Sequence, residues 1–378
     1  MHNIIKQQGD TPSRVLMVLT SVEVGGGVQT KIMDIYKRID KTRIQFDFFV
    51  HVEPNQNSFY KEIISMGGRV YYFGKFKKIG LYKYLKHIYK LMKNSNYKAV
   101  HSYLGVNDGL ILTIARLTQT KIRISHVRTI ITESKKRRIL NPLLKYLIKR
   151  NSTDLLAASK QAGKALYGYE EFQVIPNALD PNKFLKTEKG KVENLKREIG
   201  ISNNMLVLGH IGRFSIEKNH EFLLEIAMSL KGKSVFFKMI LVGEGELKRD
   251  IIDKIKSENL ESYFYIVGAI PNPEIYYCVF DVILFPSFHE GFGNVALEAQ
   301  VANKPVIASK GVSSETDLGL GLIEFIDIES IDEWVNKILK ISSSNNITVS
   351  EKVIRETLKK RNFDVNQSVE RYYKLYNV

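Results

Sequence analysis

Short apolar runs alternate with amphipathic segments along the whole 378-residue chain. Residues 14–20, Arg-Val-Leu-Met-Val-Leu-Thr, form one such run, which is typical of a strand covered on both faces of a parallel sheet. Helical segments separate these runs, and the alternation favours doubly wound parallel sheets. Further strands are predicted near 44–50, 69–73, 98–102, 121–126, 153–158, 205–211, 235–242, 262–267, 281–285 and 305–308.

The length of the chain favours two domains, because one hydrophobic core seldom serves more than about 250–300 residues. We therefore predict an α/β fold of two Rossmann-like, doubly wound domains that face each other across a central cleft. The first domain is placed at 1–180 and the second at 181–358. A C-terminal helix at 359–378 is expected to pack back toward the first domain. The apolar face of that helix consists of Tyr372, Tyr373, Leu375 and Tyr376.

Composition excludes several classes of protein. No apolar run approaches the roughly 20 residues that a membrane-spanning helix requires, and the N-terminal residues contain no stretch that is typical of a signal peptide. The lone cysteine, Cys278, excludes an intramolecular disulfide and a Cys/His metal site. Its neighbours Tyr276, Tyr277, Val279 and Phe280 predict a buried structural thiol. A single cysteine also fits the reducing cytoplasm, where we expect this protein.

The net charge of +16 is concentrated in the first half of the chain. Residues 1–180 hold 30 lysines and arginines but 13 aspartates and glutamates, whereas residues 181–378 hold 26 and 27. The basic half is therefore expected to meet an anionic partner, such as a membrane surface, a nucleic acid or a phosphorylated acceptor.

Two basic amphipathic segments favour the membrane among these partners. In 81–93, lysines recur at helical spacing on one stripe, and Leu81, Leu85, Ile88 and Met92 form another. Residues 135–138 are all basic and lead into a second amphipathic segment. Such segments are typical of helices that lie on anionic lipid, although ordinary surface helices with solvated lysines show the same pattern. No motif supports nucleic-acid binding. The predicted membrane-binding residues are Lys83, Lys86, Lys90, Lys93, Lys135, Lys136, Arg137 and Arg138.

The clearest chemical signature lies in 290–298, Glu-Gly-Phe-Gly-Asn-Val-Ala-Leu-Glu. This segment follows a predicted strand, and we expect a helix to begin within it, with Asn294 as the N-cap. Unpaired backbone N–H groups and the positive end of the helix dipole meet at such a junction, which suits a diphosphate. Gly291 and Gly293 would let the backbone approach that ligand closely.

The two glutamates of this segment fit the same site. Glu298 lies one turn beyond Asn294, where its carboxylate could accept hydrogen bonds from vicinal hydroxyls, as on a ribose. Glu290 lies in the loop, where the reacting end of a bound ligand would be. In the alternative interpretation, Glu298 only complements the helix dipole and Glu290 is a solvated loop residue.

Two more loops follow predicted strands at the same sheet edge. In 212–219, Arg213 and Lys218 could both reach a diphosphate, although each taken alone would be an ordinary surface cation. Residues 243–245, Gly-Glu-Gly, resemble the start of a dinucleotide fingerprint. Lys248 occupies the place of the third glycine, and this argues against a nicotinamide or flavin site.

The first domain offers a third glycine loop and two histidines. Residues 25–27 are all glycine and join the first predicted strand to a helical pattern. His101 and His126 each close a predicted strand, and for either one the alternative is a structural histidine. We favour His126 as the functional one, because its strand end faces the proposed cleft. No Ser/His/Asp spacing, P-loop or metal-chelating Asp-x-Asp pair stands out.

Four of these motifs occur together and have a counterpart in a known family. They are Glu290-x7-Glu298, Gly212-Arg213…Lys218-Asn219, Val-Gly-Glu-Gly at 242–245, and Gly25-Gly-Gly27. In this combination the chain resembles the family 4 retaining glycosyltransferases of the GT-B fold. The resemblance spans nearly the whole chain. Within the family, the chain most resembles the bacterial group that builds capsular, exopolysaccharide or O-antigen repeat units on a lipid carrier.

The resemblance implies a nucleotide-sugar donor in the second domain, with UDP favoured by its frequency in the family, and an acceptor in the first. Glu298 would bind the ribose, and Ile270 would line the base. The implied catalytic residues are His126, Glu290, Arg213 and Lys218. The implied donor-binding residues are Gly25, Gly26, Gly27, Arg213, Lys218, Gly243, Ile270, Glu290, Gly291, Phe292, Gly293, Asn294 and Glu298.

The resemblance also implies a mechanism and a location. Members of the family need no metal or other cofactor, and the leaving phosphate would help to deprotonate the acceptor hydroxyl in a front-face reaction with retention. The acceptor would be lipid-linked or an oligosaccharide, at the cytoplasmic face of the cell membrane. Two other functions stay open. One is a GT-B nucleotide-sugar epimerase, and the other is a non-catalytic, basic membrane-binding protein on a GT-B scaffold.

Overall fold

The computed structural model describes residues 11–74, 76–128, 140–270, 272–344 and 348–378. Strands and helices alternate along these residues, as the sequence predicts. The strands are β1 (Ser13–Leu19), β2 (Ile44–Val50), β3 (Arg69–Tyr72), β4 (Ala99–Ser102), β5 (Ile122–Val127), β6 (Asp154–Ala157), β7 (Gln173–Val174), β8 (Leu206–Ile211), β9 (Phe237–Val242), β10 (Phe264–Val267), β11 (Val282–Phe285), β12 (Val306–Ser309) and β13 (Ile323–Ile326). The α-helices are α1 (Gly27–Arg38), α2 (Tyr60–Ser65), α3 (Phe76–Ile79), α4 (Leu81–Ser95), α5 (Asp108–Leu117), α6 (Leu140–Asn151), α7 (Lys160–Tyr167), α8 (Asn182–Leu185), α9 (Lys189–Ile199), α10 (His220–Gly232), α11 (Lys248–Ser257), α12 (Glu274–Val279), α13 (Asn294–Val301), α14 (Ile331–Ser343), α15 (Glu351–Lys360) and α16 (Val365–Tyr376).

The strands form two sheets, one in each of two compact units. The first unit comprises the residues up to Ile175 together with Asn366–Val378, and its strand order is β3-β2-β1-β4-β5-β6-β7. The second unit comprises Pro176–Val365, with the order β10-β9-β8-β11-β12-β13. Every pairing between these neighbouring strands is parallel. The predicted α/β fold with two doubly wound sheets is confirmed.

Both faces of the first sheet are covered, and this explains why its central strands read as unbroken apolar runs. β2 is buried throughout, as is β1 from Val15 to Leu19. The connections from β3 to β4, β4 to β5 and β5 to β6 cross the sheet in one direction. Right-handed crossovers therefore place α4, α5 and α6 on the same face, where α5 packs against both neighbours. These three helices form one outer layer.

The buried stripe of α4 is centred on Ile88 and Met92, as predicted, but it includes Tyr84 in place of Leu81. Leu81, which the sequence pattern assigns to the apolar stripe, is 48% exposed. Tyr84 takes its place because the tyrosine ring packs 5.9 Å from the ring of Phe49 in the sheet, centroid to centroid. The predicted apolar face is thus correct in its second half and wrong at its start.

The helix at the end of the chain packs on the first sheet, as predicted. The hydroxyl of Tyr376 lies 2.7 Å from Nδ1 of His101. About one turn earlier on α16, the backbone N–H of Asp40 donates to the hydroxyl of Tyr373 at 2.7 Å. These contacts explain why the last residues of the chain belong to the first unit.

The second sheet also has two buried faces. Ile283 and Phe285 of β11 join one hydrophobic core, whereas their neighbours Val282 and Leu284 join another on the opposite face. Cys278, predicted as a buried thiol, is only partly buried. The reason is that α12 directs Tyr276, Tyr277 and Val279 into the core instead.

Candidate active site

The loops that follow β8, β11 and β12 are joined at the carboxyl edge of the second sheet. Phe288 N–H donates to the carbonyl of Glu217 at 2.9 Å, which links the loop after β11 to the loop after β8. Glu290 N–H donates to the carbonyl of Gly311 at 3.0 Å, which links it to the loop after β12. This is the edge at which ligands bind in open parallel sheets.

Lys218 and Glu290, predicted as ligand contacts on separate loops, form an ion pair with each other. Their side chains are 19% and 16% exposed, so the pair is reached by solvent yet largely shielded from it. The Lys218 ammonium also lies 4.6 Å from the centre of the Phe285 ring. Arg213, on the same loop as Lys218, is exposed. The edge therefore presents two cations that could neutralise a diphosphate.

Glu298 lies on α13 and is held by a residue that the sequence does not single out. The hydroxyl of Tyr277, on α12, donates to Oε2 of Glu298 at 2.9 Å. Tyr277 is fully buried, and this burial raises the pKa of its hydroxyl well above the ordinary value. The hydroxyl therefore stays protonated and acts as a donor to the carboxylate.

The prediction that Asn294 is the N-cap of α13 is wrong. The N-cap is Gly293, whose φ of +95° lies in the left-handed region that favours glycine. Oδ1 of Asn294 instead accepts a hydrogen bond of 2.7 Å from Nδ2 of Asn177. Phe292, also predicted to bind the donor, is 3% exposed and packs 5.6 Å from the ring of Phe363. Its ring packs in the core of the second unit, and its contact with the donor stays a prediction.

Gly243 and Gly245 let the loop after β9 pack on the backbone of the loop after β8. A Cβ at Gly243 would lie 1.9 Å from the carbonyl oxygen of Gly212, and one at Gly245 would lie 2.3 Å from that of Phe214. Phe214 N–H also donates to the carbonyl of Glu244 at 3.0 Å. These glycines therefore shape the loop that carries the two cations, and the donor contact of Gly243 stays a prediction.

Two buried histidines that the sequence pattern does not single out support the same loop. Nδ1–H of His210 donates to the carbonyl of Leu284 at 2.8 Å. The ring of His220 stacks on Phe214 at 4.1 Å and meets His210 edge-on at 4.8 Å. Burial lowers the pKa of His210 to about 4 and that of His220 to about 2. Both rings are therefore neutral at pH 7 and pack under the loop without adding charge.

In the first unit, His126 is buried at the end of β5. Its Nδ1 lies 3.1 Å from Nε2 of His101, which in turn contacts Tyr376. Burial lowers the pKa of both histidines well below the ordinary value, so both are neutral at pH 7. Nε2 of His126 has no hydrogen-bond partner among the described residues, and it is the ring nitrogen that could meet a ligand.

The remaining predicted donor-binding residues lie at the start of α1 and in loops of the second unit. Gly25, with a φ of +87°, leads into α1, of which Gly26 is the N-cap and Gly27 the first residue. Gly291 is half-buried, and Ile270 is partly buried against the core of the second unit.

Four of the predicted membrane contacts are exposed on α4, namely Lys83, Lys86, Lys90 and Lys93. The other four, Lys135, Lys136, Arg137 and Arg138, lie outside the described residues.

Comparison with known proteins identifies the family. Residues 191–360 match the family described as glycosyl transferases group 1. Over 375 residues the chain is 30% identical to the putative glycosyltransferase EpsF of Bacillus subtilis (strain 168), covering 97% of this chain and 96% of that protein. The chain belongs to this family. The matched range contains the ion pair at the sheet edge, together with Arg213 and Glu298.

Two further relatives are also named as glycosyltransferases. The capsular polysaccharide biosynthesis glycosyltransferase CapH of Staphylococcus aureus is 26% identical, over 93% of this chain and 95% of that protein. The UDP-Gal:alpha-D-GlcNAc-diphosphoundecaprenol alpha-1,3-galactosyltransferase of Escherichia coli is 27% identical, over 78% and 79%. The chain is a glycosyltransferase similar to those named for capsular polysaccharide biosynthesis, which is the resemblance that the motifs predict.

The fold of this glycosyltransferase is also found among solved structures. Anabaena HepE, in a crystal structure with UDP and glucose, matches with a TM-score of 0.78 at 18% identity. The match covers 97% of this chain and 99% of that one. At this identity the likeness concerns the fold alone, and it confirms the predicted GT-B class.

Proposed function

We propose that this glycosyltransferase is a retaining, metal-independent enzyme that transfers a sugar from a UDP-sugar to a hydroxyl of a lipid-linked or oligosaccharide acceptor. Its product would enter bacterial surface polysaccharide. The observation that carries the proposal is the Lys218–Glu290 ion pair just before α13, together with the exposed Arg213 on the same loop as Lys218. This edge of the second sheet combines the cations, the carboxylate and the helix N-terminus that a sugar diphosphate requires.

The charges at this edge suit the bond that must break. When the bond between the anomeric carbon and the diphosphate oxygen breaks, the electron pair goes to the diphosphate. Lys218 and Arg213 would neutralise this charge, and a preorganised contact of this kind typically contributes a few kcal/mol. The acceptor oxygen would bond to the anomeric carbon on the same face, and its proton would pass to the departing diphosphate. Glu290 would accept hydrogen bonds from sugar hydroxyls.

The rest of the donor would be bound by residues nearby in the second unit. Glu298 would accept hydrogen bonds from the ribose, and Ile270 would lie against the base. Two relatives support UDP, since the Escherichia coli enzyme is named for UDP-Gal and HepE was crystallised with UDP. His126 and the glycines at 25–27 stay predicted contacts of the donor.

A thermal-shift panel of UDP-, GDP-, ADP- and dTDP-sugars tests the donor site. In EDTA without added metal, a UDP-sugar at 100 times its Kd should stabilise the protein by roughly 2.7 kcal/mol. Glu298→Ala should lose most of this response, because the ribose contact is gone. The matched control, Glu329→Ala, removes an exposed glutamate of the same unit and should respond like the wild type. If no nucleotide shifts the wild type, the proposal is wrong.

Product analysis then separates the transferase from the two other functions. An epimerase would convert the donor into its epimer without an acceptor, and a non-catalytic protein would leave the donor intact. A transferase would release UDP in proportion to the glycosylated acceptor. The names of the relatives favour transfer.

We also propose that the outer layer of the first unit docks on an anionic membrane at its cytoplasmic face, where a lipid-linked acceptor would be. Within the described residues, no helix is long and apolar enough to cross a bilayer. The α4–α6 layer instead exposes cations beside large apolar side chains, and this combination favours the interface. The exposed cations on α4 are Lys83, Lys86, Lys90 and Lys93, and the exposed apolar side chains on α4 and α6 are Leu81, Tyr82, Tyr89, Leu140, Leu143 and Tyr146.

Vesicle binding tests this face. Replacing Lys83, Lys86 and Lys90 together by glutamate should weaken binding to phosphatidylglycerol-containing vesicles by about 100-fold or more, since each cation near such a surface contributes about 1 kcal/mol. Phosphatidylcholine vesicles should bind neither protein well. A control triple replaces Lys352, Lys359 and Lys360 of the second unit and makes the same change in net charge. Equal loss in both triples would show that net charge alone, and not this face, drives binding.

A further inference from the structure

The hydrogen bond between Tyr277 and Glu298 joins a buried side chain to a partly buried one. Tyr277 is fully buried, and its ring meets Phe184 at 5.5 Å and Phe280 at 6.1 Å, both in edge-to-face geometry. These two neighbours fix the position of the ring, and the hydroxyl is therefore fixed beside α13. At that point it donates to Oε2 of Glu298 at 2.9 Å.

We propose that Tyr277 is a positioning residue for nucleotide recognition, whose buried hydroxyl orients the Glu298 carboxylate toward the vicinal hydroxyls of the ribose. The inference rests on the proposed function, because it takes Glu298 as the ribose contact. It adds a residue that no sequence motif includes and that itself need not touch the ligand.

The chemistry of the two groups supports this role. A glutamate side chain has several rotatable bonds, and ordering it on ligand binding costs conformational entropy. A donor already fixed on one carboxylate oxygen removes part of that cost before the ligand arrives. A carboxylate has about four lone-pair positions, so it can accept from Tyr277 and from ribose hydroxyls at the same time. The raised pKa of the Tyr277 hydroxyl keeps it a donor at every pH at which the enzyme would work.

Tyr277→Phe removes the hydroxyl and keeps the ring that fills the core. We expect this variant to bind UDP about tenfold more weakly than the wild type by isothermal titration calorimetry. Its affinity for 2′,3′-dideoxy-UDP should stay within twofold of the wild-type value, because that probe lacks the hydroxyls that Glu298 would meet. The kcat at saturating donor should change little, whereas KM for the donor should rise with the Kd.

The chain offers a matched control one residue away. Tyr276 lies on the same helix and is buried too, but its hydroxyl makes no hydrogen bond with Glu298. Tyr276→Phe should bind both probes like the wild type. Equal weakening of UDP and the dideoxy probe in Tyr277→Phe would show a general structural role, and unchanged UDP binding would show no role. Either result overturns the inference.

Glu298→Ala distinguishes failure of this inference from failure of the proposed function, because it removes both acceptor oxygens. If Glu298→Ala binds UDP as tightly as the wild type, the ribose assignment is wrong and the role of Tyr277 falls with it. If Glu298→Ala loses UDP affinity and Tyr277→Phe does not, the ribose assignment stands and the positioning role alone is wrong. Thermal unfolding of each ligand-free variant verifies that the second unit remains folded.

Discussion

Lys218→Ala is expected to lower kcat by about 100- to 1,000-fold, the loss that follows removal of one preorganised charge-stabilising group at a reacting centre. Lys218 is held by Glu290 and lies against the ring of Phe285 before any ligand binds. Its charge is therefore in place when the diphosphate departs and needs no reorganisation. Steady-state kinetics with a UDP-sugar donor and the acceptor measure the effect.

The control for this variant is Lys233→Ala, which removes an exposed lysine just after α10. Its kcat should stay within twofold of the wild-type value. Because Lys218→Ala leaves Glu290 without its ion-pair partner, urea unfolding must be measured beside the kinetics. A variant that is folded and keeps kcat within fivefold of the wild type would exclude Lys218 from stabilising the leaving group.

Most strands could be predicted because the parallel sheets are covered on both faces. The run at 14–20 is β1 (Ser13–Leu19), and the run at 281–285 is β11 (Val282–Phe285). Of the four edge strands, β3 and β10 match the runs predicted at 69–73 and 262–267, whereas β7 and β13 escaped prediction. β7 is two exposed residues, and β13 carries the exposed Glu324 among partly buried neighbours. These two edge strands are covered less completely, so they leave no unbroken apolar run in the sequence.

The location of the candidate site at the sheet edge could be predicted, but the side-chain contacts within the site could not. Parallel topology brings the ends of β8 and β11 to one edge, so Lys218 and Glu290 could be expected there. Their ion pair joins residues 72 positions apart, and sequence spacing carries no signal of it. The same reason hides Tyr277, whose hydrogen bond crosses from one helix to the next.

The local capping rule failed at one position, where a contact between residues distant in the sequence took the place of the local one. Asn294 is a favourable N-cap residue, but Gly293 adopts the left-handed conformation before it and takes that position. The freed amide of Asn294 pairs with Asn177, which lies 117 residues earlier in the chain. The sequence predicts the strand–loop–helix junction, but only the structure shows that Gly293 is the N-cap and that Asn294 contacts Asn177.

Gly243→Ala is expected to destabilise the protein by about 3 kcal/mol, which is at the upper end for inserting an atom into a packed site. The new Cβ would lie 1.9 Å from the carbonyl oxygen of Gly212, and that oxygen belongs to backbone that cannot rotate away. The loop after β8 would have to move, and it carries Arg213 and Lys218. Urea unfolding monitored by circular dichroism measures the loss.

Gly232→Ala is the matched control, because nothing lies within 4 Å of a Cβ at that helical position. It should leave stability unchanged or raise it slightly, since alanine loses less backbone entropy than glycine on folding. The pair of variants also distinguishes two roles for Gly243. If Gly243→Ala unfolds like the wild type but no longer binds UDP-sugar, the glycine faces the donor, as the sequence predicts. If stability and binding fall together, its function is to hold the loop that bears the cations.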